Sequence, residues 1–388
     1  MQISPWPSFS EEEAKAVSNV LISNKVNYWT GNLCKTFELR YAEWIGVKHA
    51  IAVSNGSAAL ELALKAIKIG PGDEVIVTPR SFIASASSVV MAGGIPVFAD
   101  VDRNSQNISA ETIAALITPR TRAIICVHLG GMPCEMDEIM SLADNFELKV
   151  IEDCSQAHGA VYKGKALGSI GHIGIWSFCQ DKIISTGGEG GMAATNDTHL
   201  FESMWSYKDH GKNRQDTNNT PLSNRFRFIH KSFGTNWRMM EMQAAIGLIQ
   251  LDHIAEWNLR RNNLAKRIEN ECSKHSLFRT QHVPDYINHA YYRFYTFIHP
   301  QQLAAGWTRD RIIDEVRSRG VPCFQGACPE IYLEPVFENS EFKPVKRLPV
   351  AQELGETSLA FLVHPTITDQ ELDKILCNLK EVFTVASL

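Results

Sequence analysis

Three short segments hold residues whose types and spacing could do chemistry. The first is Ser54-Asn55-Gly56-Ser57-Ala58-Ala59-Leu60, where an apolar run ends in small residues and a helical pattern opens at once. Free backbone N–H groups at a helix start favour an anion, and the helix dipole adds to the attraction. Gly56 permits close backbone approach and the Ser57 hydroxyl can donate, so a phosphate cradle is one reading. An ordinary strand–helix turn with a capping serine is the other. The glycine spacing of a Walker loop or a dinucleotide fingerprint is missing. The second segment is Glu152-Asp153-Cys154-Ser155-Gln156-Ala157-His158-Gly159. Asp153 closes an apolar run, and ligands of open α/β sheets bind at that edge. A carboxylate there could hold a cationic ring nitrogen, with Gln156 and His158 touching the same ligand, or it could simply cap a helix. The third is Trp176-Ser177-Phe178-Cys179-Gln180-Asp181-Lys182, followed by the glycine-dense Ile183–Gly191. A lysine becomes a Schiff-base nucleophile when desolvation or nearby cations lower its pKa; a solvated loop lysine is the plain alternative.

Together the three are more specific than each alone. A phosphate site, a carboxylate at a strand end and a lysine twenty-nine residues later are what pyridoxal phosphate (PLP) requires. The helix start holds the phosphate, Asp153 keeps the pyridine nitrogen protonated, and Lys182 binds the aldehyde. A protonated pyridine is an electron sink for a carbanion at an amine-bearing carbon. Phe82 could stack on the ring, or be a core aromatic.

Elements must bring these segments to one place. Apolar runs at His49–Ser54, Glu74–Pro79, Ile95–Val101, Arg122–Leu129, Leu148–Asp153, Ile173–Phe178 and Gly191–Thr195 lack strict alternation, which indicates strands buried on both faces. Helical segments lie between them, at Ser57–Ile69, Ser81–Ala92, Ser109–Ile117 and Cys134–Phe146. The alternation predicts an α/β fold with a mostly parallel, seven-stranded sheet flanked by helices. Ser10-Glu11-Glu12-Glu13 reads as a capping box before a helix over about 11–22. Lys208–Asn224 is polar and nearly free of aliphatics, the mark of a functional or disordered loop. Met239–Arg267 is a long helical pattern. Beyond it, Tyr292–Ile298, Arg309–Arg319 and Asp369–Phe383 suggest a smaller α+β unit. The expected division is a large PLP-binding domain over 1–250 and a small C-terminal domain over 251–388.

Composition narrows the function classes. Of 388 residues, 44% are hydrophobic and 21% charged, with a formal charge of −5. These are globular values, and they offer no polyanion-binding surface, so no nucleic-acid partner is expected. No apolar run approaches the ~18 residues of a membrane span. The first residues lack the basic and apolar regions of a secretory signal. Nine cysteines with no C-x-x-C pair argue against disulfides or structural zinc, and no metal site is expected. A reducing cytoplasm fits best. Cys154, Cys179, Cys323 and Cys328 are expected as buried fillers.

From about Pro5 to Phe383 the chain resembles the DegT–StrS family of fold-type-I PLP-dependent sugar aminotransferases. The motifs that carry the likeness are VSNGSAAL, GDEVIVTPRSFIAS, GGIPVFADVD, VIEDCSQAHGA, WSFCQDKIISTGGEGGM, GTNWRMMEMQAAIGLIQL and FLVHPTITDQE. The resemblance implies that Gly56, Ser57 and Ala58 hold the phosphate, helped by Ser177, and that Phe82 covers the ring. It implies that Asp153 pairs with the ring nitrogen, Gln156 meets the ring hydroxyl, and Lys182 is the Schiff-base lysine and proton shuttle. Asn236, in GTNWRM, is similar to the residue that reaches the phosphate of a neighbouring subunit's cofactor, or else caps a turn. A homodimer with shared active sites is therefore implied. His210 would contribute to the partner's substrate pocket. Trp29, in NYWTGN, would approach substrate, or be a packed aromatic.

Family members with histidine in place of the lysine act as dehydratases; Lys182 favours transamination. The implied donor is L-glutamate and the implied acceptor a keto sugar, in amino-sugar synthesis for a surface polysaccharide or lipopolysaccharide. The segment Val321–Glu330 departs from the tyrosine–proline–histidine-like motif of many nucleotide-sugar members. Two acceptors stay open on that ground: a nucleotide-linked 4-keto-6-deoxyhexose, or an 8-keto-3-deoxy-octulosonate aminated at carbon 8. A PLP-dependent sugar dehydratase or lyase and a non-catalytic PLP-binding sensor are the competing functions.

Overall fold

The computed structural model describes residues 3–219 and 228–388. All seven expected apolar runs form strands of one sheet: β1 (His49–Val53), β2 (Glu74–Val77), β3 (Ile95–Phe98), β4 (Thr121–Val127), β5 (Lys149–Asp153), β6 (Ile173–Ser177) and β7 (Gly191–Thr195). Their spatial order is β1-β7-β6-β5-β4-β2-β3. Neighbours pair in parallel except β7, which runs antiparallel to both β1 and β6. Apart from one end residue, β1, β2, β5, β6 and β7 are buried along almost their whole length, because helices cover both faces. Tyr41, Ile76, Ile124, Val150 and Trp176 belong to the cluster on one side, and Ile51, Leu62, Val75, Ile125 and Ile175 to the cluster on the other. Successive side chains of a strand point to opposite faces, which is why Ile124 and Ile125 enter different clusters.

A second sheet holds β8 (Phe278–Thr280), β9 (Phe294–Ile298), β10 (Cys323–Phe324) and β11 (Ser358–Phe361), all antiparallel, in the order β8-β9-β11-β10. Helices Arg309–Ser318 and Asp369–Ala386 pack beside it around a third apolar cluster. Helix Glu241–Cys272 carries residues of both the first and third clusters, such as Leu251 and Leu264. The expected boundary at 250/251 falls inside this helix.

Helices Leu33–Ile45, Thr198–Lys208, Arg214–Asn219 and Pro349–Thr357 have no counterpart among the expected helical segments. The first starts without a side-chain cap bond. Its first-turn N–H groups at Leu33 and Cys34 are satisfied by the distant Glu241 carboxylate, at 2.6 and 3.1 Å. Asn32 at the N-cap is the local mark of that start, although its side chain makes no cap bond. The second takes the first residue of the expected polar loop into its last turn, where Lys208 is buried against Glu38 at 3.2 Å. Arg214–Asn219 then forms a short helix, and positions 220–224 of that loop lie outside the described residues. The capping box at Ser10 and Glu13 forms as the sequence suggests.

Candidate active site

A cavity of about 660 Å³ opens where the parallel strands end. Five strands deliver its wall from their carboxyl ends: β1 through Asn55–Ser57, β2 through Ser81–Phe82, β4 at Val127, β5 at Asp153 and Gln156, and β6 at Ser177–Lys182. The opposite wall comes from the second half of the chain, through Tyr292, Arg293, Tyr295 and Gly326–Cys328.

The phosphate-type turn follows β1 directly. Asn55, not Ser57, caps the helix Gly56–Ala66, and its Oδ1 accepts from the Ala58 N–H at 2.8 Å. That bond uses the Ala58 donor, and the Ala58 side chain is buried in the core. Ala58 is therefore not placed to face a ligand, while Gly56 and Ser57 are at the cavity wall. A Cβ on Gly56 would come within 2.6 Å of the Ser177 Cβ, so only glycine lets this turn close against the end of β6. Gly191 acts alike: a Cβ there would lie 2.4 Å from the Asn55 carbonyl. The glycines after Lys182 thus serve chain-to-chain approach as well as any approach to a ligand.

Asp153 is buried and receives the Ser155 N–H at 3.1 Å. Burial pushes its carboxyl up, and Ser155, Lys182 and His128 offset only part of that. A carboxylate left so is in want of a cation. Gln156 Oε1 accepts from the Gly130 N–H at 2.8 Å, which leaves its NH₂ group as the available donor. Phe82 is 67% exposed at the cavity, so it is no core aromatic.

Lys182 lies in the loop after β6. Its carbonyl accepts from the Trp6 indole N–H at 2.9 Å, a latch from the N-terminal segment. Its Nζ stands 4.9 Å from the Tyr292 ring centroid and 3.9 Å from Asp181 Oδ1. Burial pulls the ammonium down, but Tyr292, Asp181 and Asp153 more than offset it, and its pKa stands above the ordinary lysine value. The lowered lysine pKa expected from desolvation is thus reversed by its acidic neighbours.

Several expectations need correction. His158 is buried and absent from the cavity wall; burial, then Lys182 and Arg261, push it down to about 3, so it is neutral. Cys154 and Cys323 are buried fillers, but Cys179 and Cys328 are half-buried and line the cavity. Trp29, His210 and Asn236 do not line the cavity of their own chain. Trp29 packs edge-on to Trp205 at 6.0 Å under the Lys212 ammonium. His210 and Asn236 are exposed, and Asn236 bridges by backbone to Asp209. Asn55, Asp181, Tyr292, Arg293 and Tyr295 also line the cavity, although no sequence pattern assigns them a role. Asn55 and Asp181 sit inside motifs and could have been weighed there; the other three come from the far half of the chain, with no local signal.

The donor set fits pyridoxal phosphate. Gly56, Ser57 and Ser177 could cradle an anion at a helix start, Asp153 offers a carboxylate whose burial is only partly offset, Phe82 offers an aromatic face, and Lys182 an amine, all on one cavity. Fold and site define a PLP-dependent aminotransferase.

The comparisons agree. The model of the DegT/DnrJ/EryC1/StrS aminotransferase family matches residues 7–380. The chain belongs to that family. It is 37% identical over 359 residues to GDP-perosamine synthase of Caulobacter vibrioides, covering 91% of this chain and 90% of that one. It is 34% identical over 356 residues to UDP-N-acetyl-3-dehydro-alpha-D-glucosamine 3-aminotransferase of Acidithiobacillus ferrooxidans, covering 91% and 89%. Among solved structures, an aminotransferase from Psychrobacter cryohalolentis superposes with a TM-score of 0.97 at 53% identity, covering 98% of this chain and 99% of that one.

Proposed function

We propose that this sugar aminotransferase moves an amino group from L-glutamate to a nucleotide-linked keto sugar. The observation that carries the reaction type is the placement of Lys182 and Asp153 on one cavity with the Gly56–Ser57 helix start. The support for a nucleotide-linked acceptor is that the two relatives above are named for GDP- and UDP-linked sugars. The octulosonate alternative has no such support.

When bound, PLP supplies an electron sink that lets a C–H bond beside an amine break. The protein supplies the rest. Gly56, Ser57 and Ser177 would anchor the phosphate, and Asp153 would accept the ring N–H and keep the nitrogen protonated. Gln156 would donate an N–H to the ring hydroxyl, and Phe82 would cover one face. Lys182 Nζ, once free, would accept the proton from the amine-bearing carbon and hand it to the carbon on the other side of the amine nitrogen. The donor leaves as its keto acid before the acceptor enters, and the same groups then run the steps in reverse.

We further assign the working unit as a homodimer with shared sites, acting in the cytoplasm on a precursor of a surface polysaccharide or lipopolysaccharide. Asn236 is exposed and stands near Phe233, which is 99% exposed, as a subunit-facing segment would. Two units over about 1–250 and 251–388 remain the working division. No helix among the described residues is long and apolar enough to cross a membrane.

The test is a half-reaction. Incubation of the PLP-loaded protein with L-glutamate should yield pyridoxamine phosphate and 2-oxoglutarate. Keto sugars, nucleotide-linked and free, are then added to the aminated form. Return of the aldehyde absorbance with a nucleotide-linked sugar is the expected result. Return only with the free octulosonate would overturn the acceptor assignment, and no oxoglutarate would overturn the donor.

A further inference from the structure

Asp181 has no role in the reading above, yet it is the acidic group bonded into the cavity wall next to the reactive amine. Its two oxygens are divided. Oδ1 faces the Lys182 ammonium at 3.9 Å. Oδ2 accepts the Tyr292 hydroxyl and lies 3.7 Å from the Arg293 guanidinium. Arg293 in turn sits 5.2 Å from the Tyr292 ring centroid and 5.4 Å from that of Phe324. The Asp181 side chain is 48% exposed, yet it is held in one place by partners from the second half of the chain. Two carboxylates therefore flank Lys182, and they differ. Asp153 is buried with a ring nitrogen as its proposed partner, while Asp181 has protein partners of its own.

We propose that Asp181 is a positioning residue for Lys182: held by Tyr292 and Arg293, it keeps a fixed negative charge beside the amine that carries the proton. The proposal rests on the transamination reading and assigns a further residue to the same site. An amine that must take a proton from carbon gains from an anion nearby, because the ammonium form is stabilised. The anion must not itself take the proton. The cluster secures this: burial alone would raise the Asp181 carboxyl, but Lys182, Tyr292 and Arg293 outweigh it and hold the carboxyl low. The other groups around Lys182 are Asp153 on β5, Cys179 on its own loop, the Tyr292 ring, and the neutral His158. Of these Asp153 carries the other negative charge, and a cationic ring nitrogen would neutralise it.

The test reads Lys182 directly. The full chain, freed of PLP, is reductively methylated with formaldehyde and cyanoborohydride across a pH series, and labelling of the Lys182 peptide is measured by mass spectrometry. Only the neutral amine reacts. Loss of the anion lowers the lysine pKa, and with Asp181 half exposed the labelling half-point in Asp181→Asn should fall by about half to one pH unit. At a fixed pH below the half-point, labelling should then be about three- to tenfold faster. Asp181→Ser should shift likewise and Asp181→Glu should stay near the wild-type value, so the contrast survives if one variant does not fold. In the loaded enzyme, the acid limb of the glutamate half-reaction should move to lower pH in the same order. A half-point unchanged in both charge-removing variants, with native melting curves, overturns the proposal. That outcome leaves the wild-type half-reaction with glutamate untouched, so failure of this inference and failure of the functional reading are told apart.

Discussion

Two residues of the site were visible as chemistry before any fold was known, because each sits at the end of a motif whose neighbours restrict its use. Lys182 and Asp153 are such cases. Asp153 tests the electron sink. In Asp153→Asn the amide can still reach the ring nitrogen but cannot hold it protonated. Loss of a charge-assisted hydrogen bond costs about 1.5–3 kcal/mol, or roughly 10- to 100-fold in rate. The variant should keep its yellow colour and lose rate by that amount in the glutamate half-reaction, measured by stopped-flow absorbance. An unchanged rate removes Asp153 from its role. Legibility stopped where a side chain's role depends on what faces it. The sequence shows Cys179 and Cys154 as equivalent cysteines, and only the turn after β6 puts one at the cavity and the other in the core. The same limit hid Asp181, whose meaning comes from Tyr292 and Arg293 more than a hundred residues away.

Strands and their loops carry the site as rigid pieces, and one buried acid shows how. Glu152 points away from Asp153 on β5, as adjacent strand residues must. It accepts N–H bonds from Gly168 at 2.9 Å, Ile170 at 2.8 Å and Gly171 at 2.5 Å, and faces His128 Nε2 at 3.2 Å. It ties the loop before β6 to β5, and so helps fix Asp153 against the strand that leads to Lys182. Burial alone would raise its carboxyl; His128 and the Gly171 and Gly168 N–H groups outweigh burial and hold it below its ordinary value of 4.5. A depressed folded value stabilises the protein above the unfolded value and is lost as pH falls through the folded one. In Glu152→Gln one acceptor becomes a donor facing N–H groups. We expect a loss of about 3 kcal/mol or more at pH 7, seen as a lower urea midpoint. The gap between wild type and variant should narrow as pH drops below about 4.5. A constant gap across that range would place the stabilisation outside the Glu152 charge.

At the scale of the whole molecule, Asn236 and His210 are exposed and do not line the cavity of their own chain; the expectation was that they serve the neighbouring subunit's. A shared site makes a clean forecast. Lys182→Ala and Asn236→Ala subunits are each impaired alone. Mixed after mild dissociation, they should form hybrids in which one site has both an intact lysine and the partner's asparagine. Activity should rise on mixing, measured as amino transfer per total subunit. Activity that stays at the average of the two variants would mean that Asn236 serves its own chain or none.

Local patterning determined the strands of the main sheet, since runs buried on both faces read as continuous apolar stretches whatever their neighbours. It also placed the three chemical motifs at strand ends, because turn and cap residues act within a few positions. Strand direction and strand order were decided by tertiary structure: nothing in Gly191–Thr195 states that β7 runs against both neighbours. The Leu33–Ile45 helix start waits on Glu241, the far cavity wall on Tyr292 to Cys328, and the proton affinity of Lys182 on which charges the folded chain brings beside it. Those are distance-dependent interactions between parts of the chain far apart in order, and only folding sets the distances.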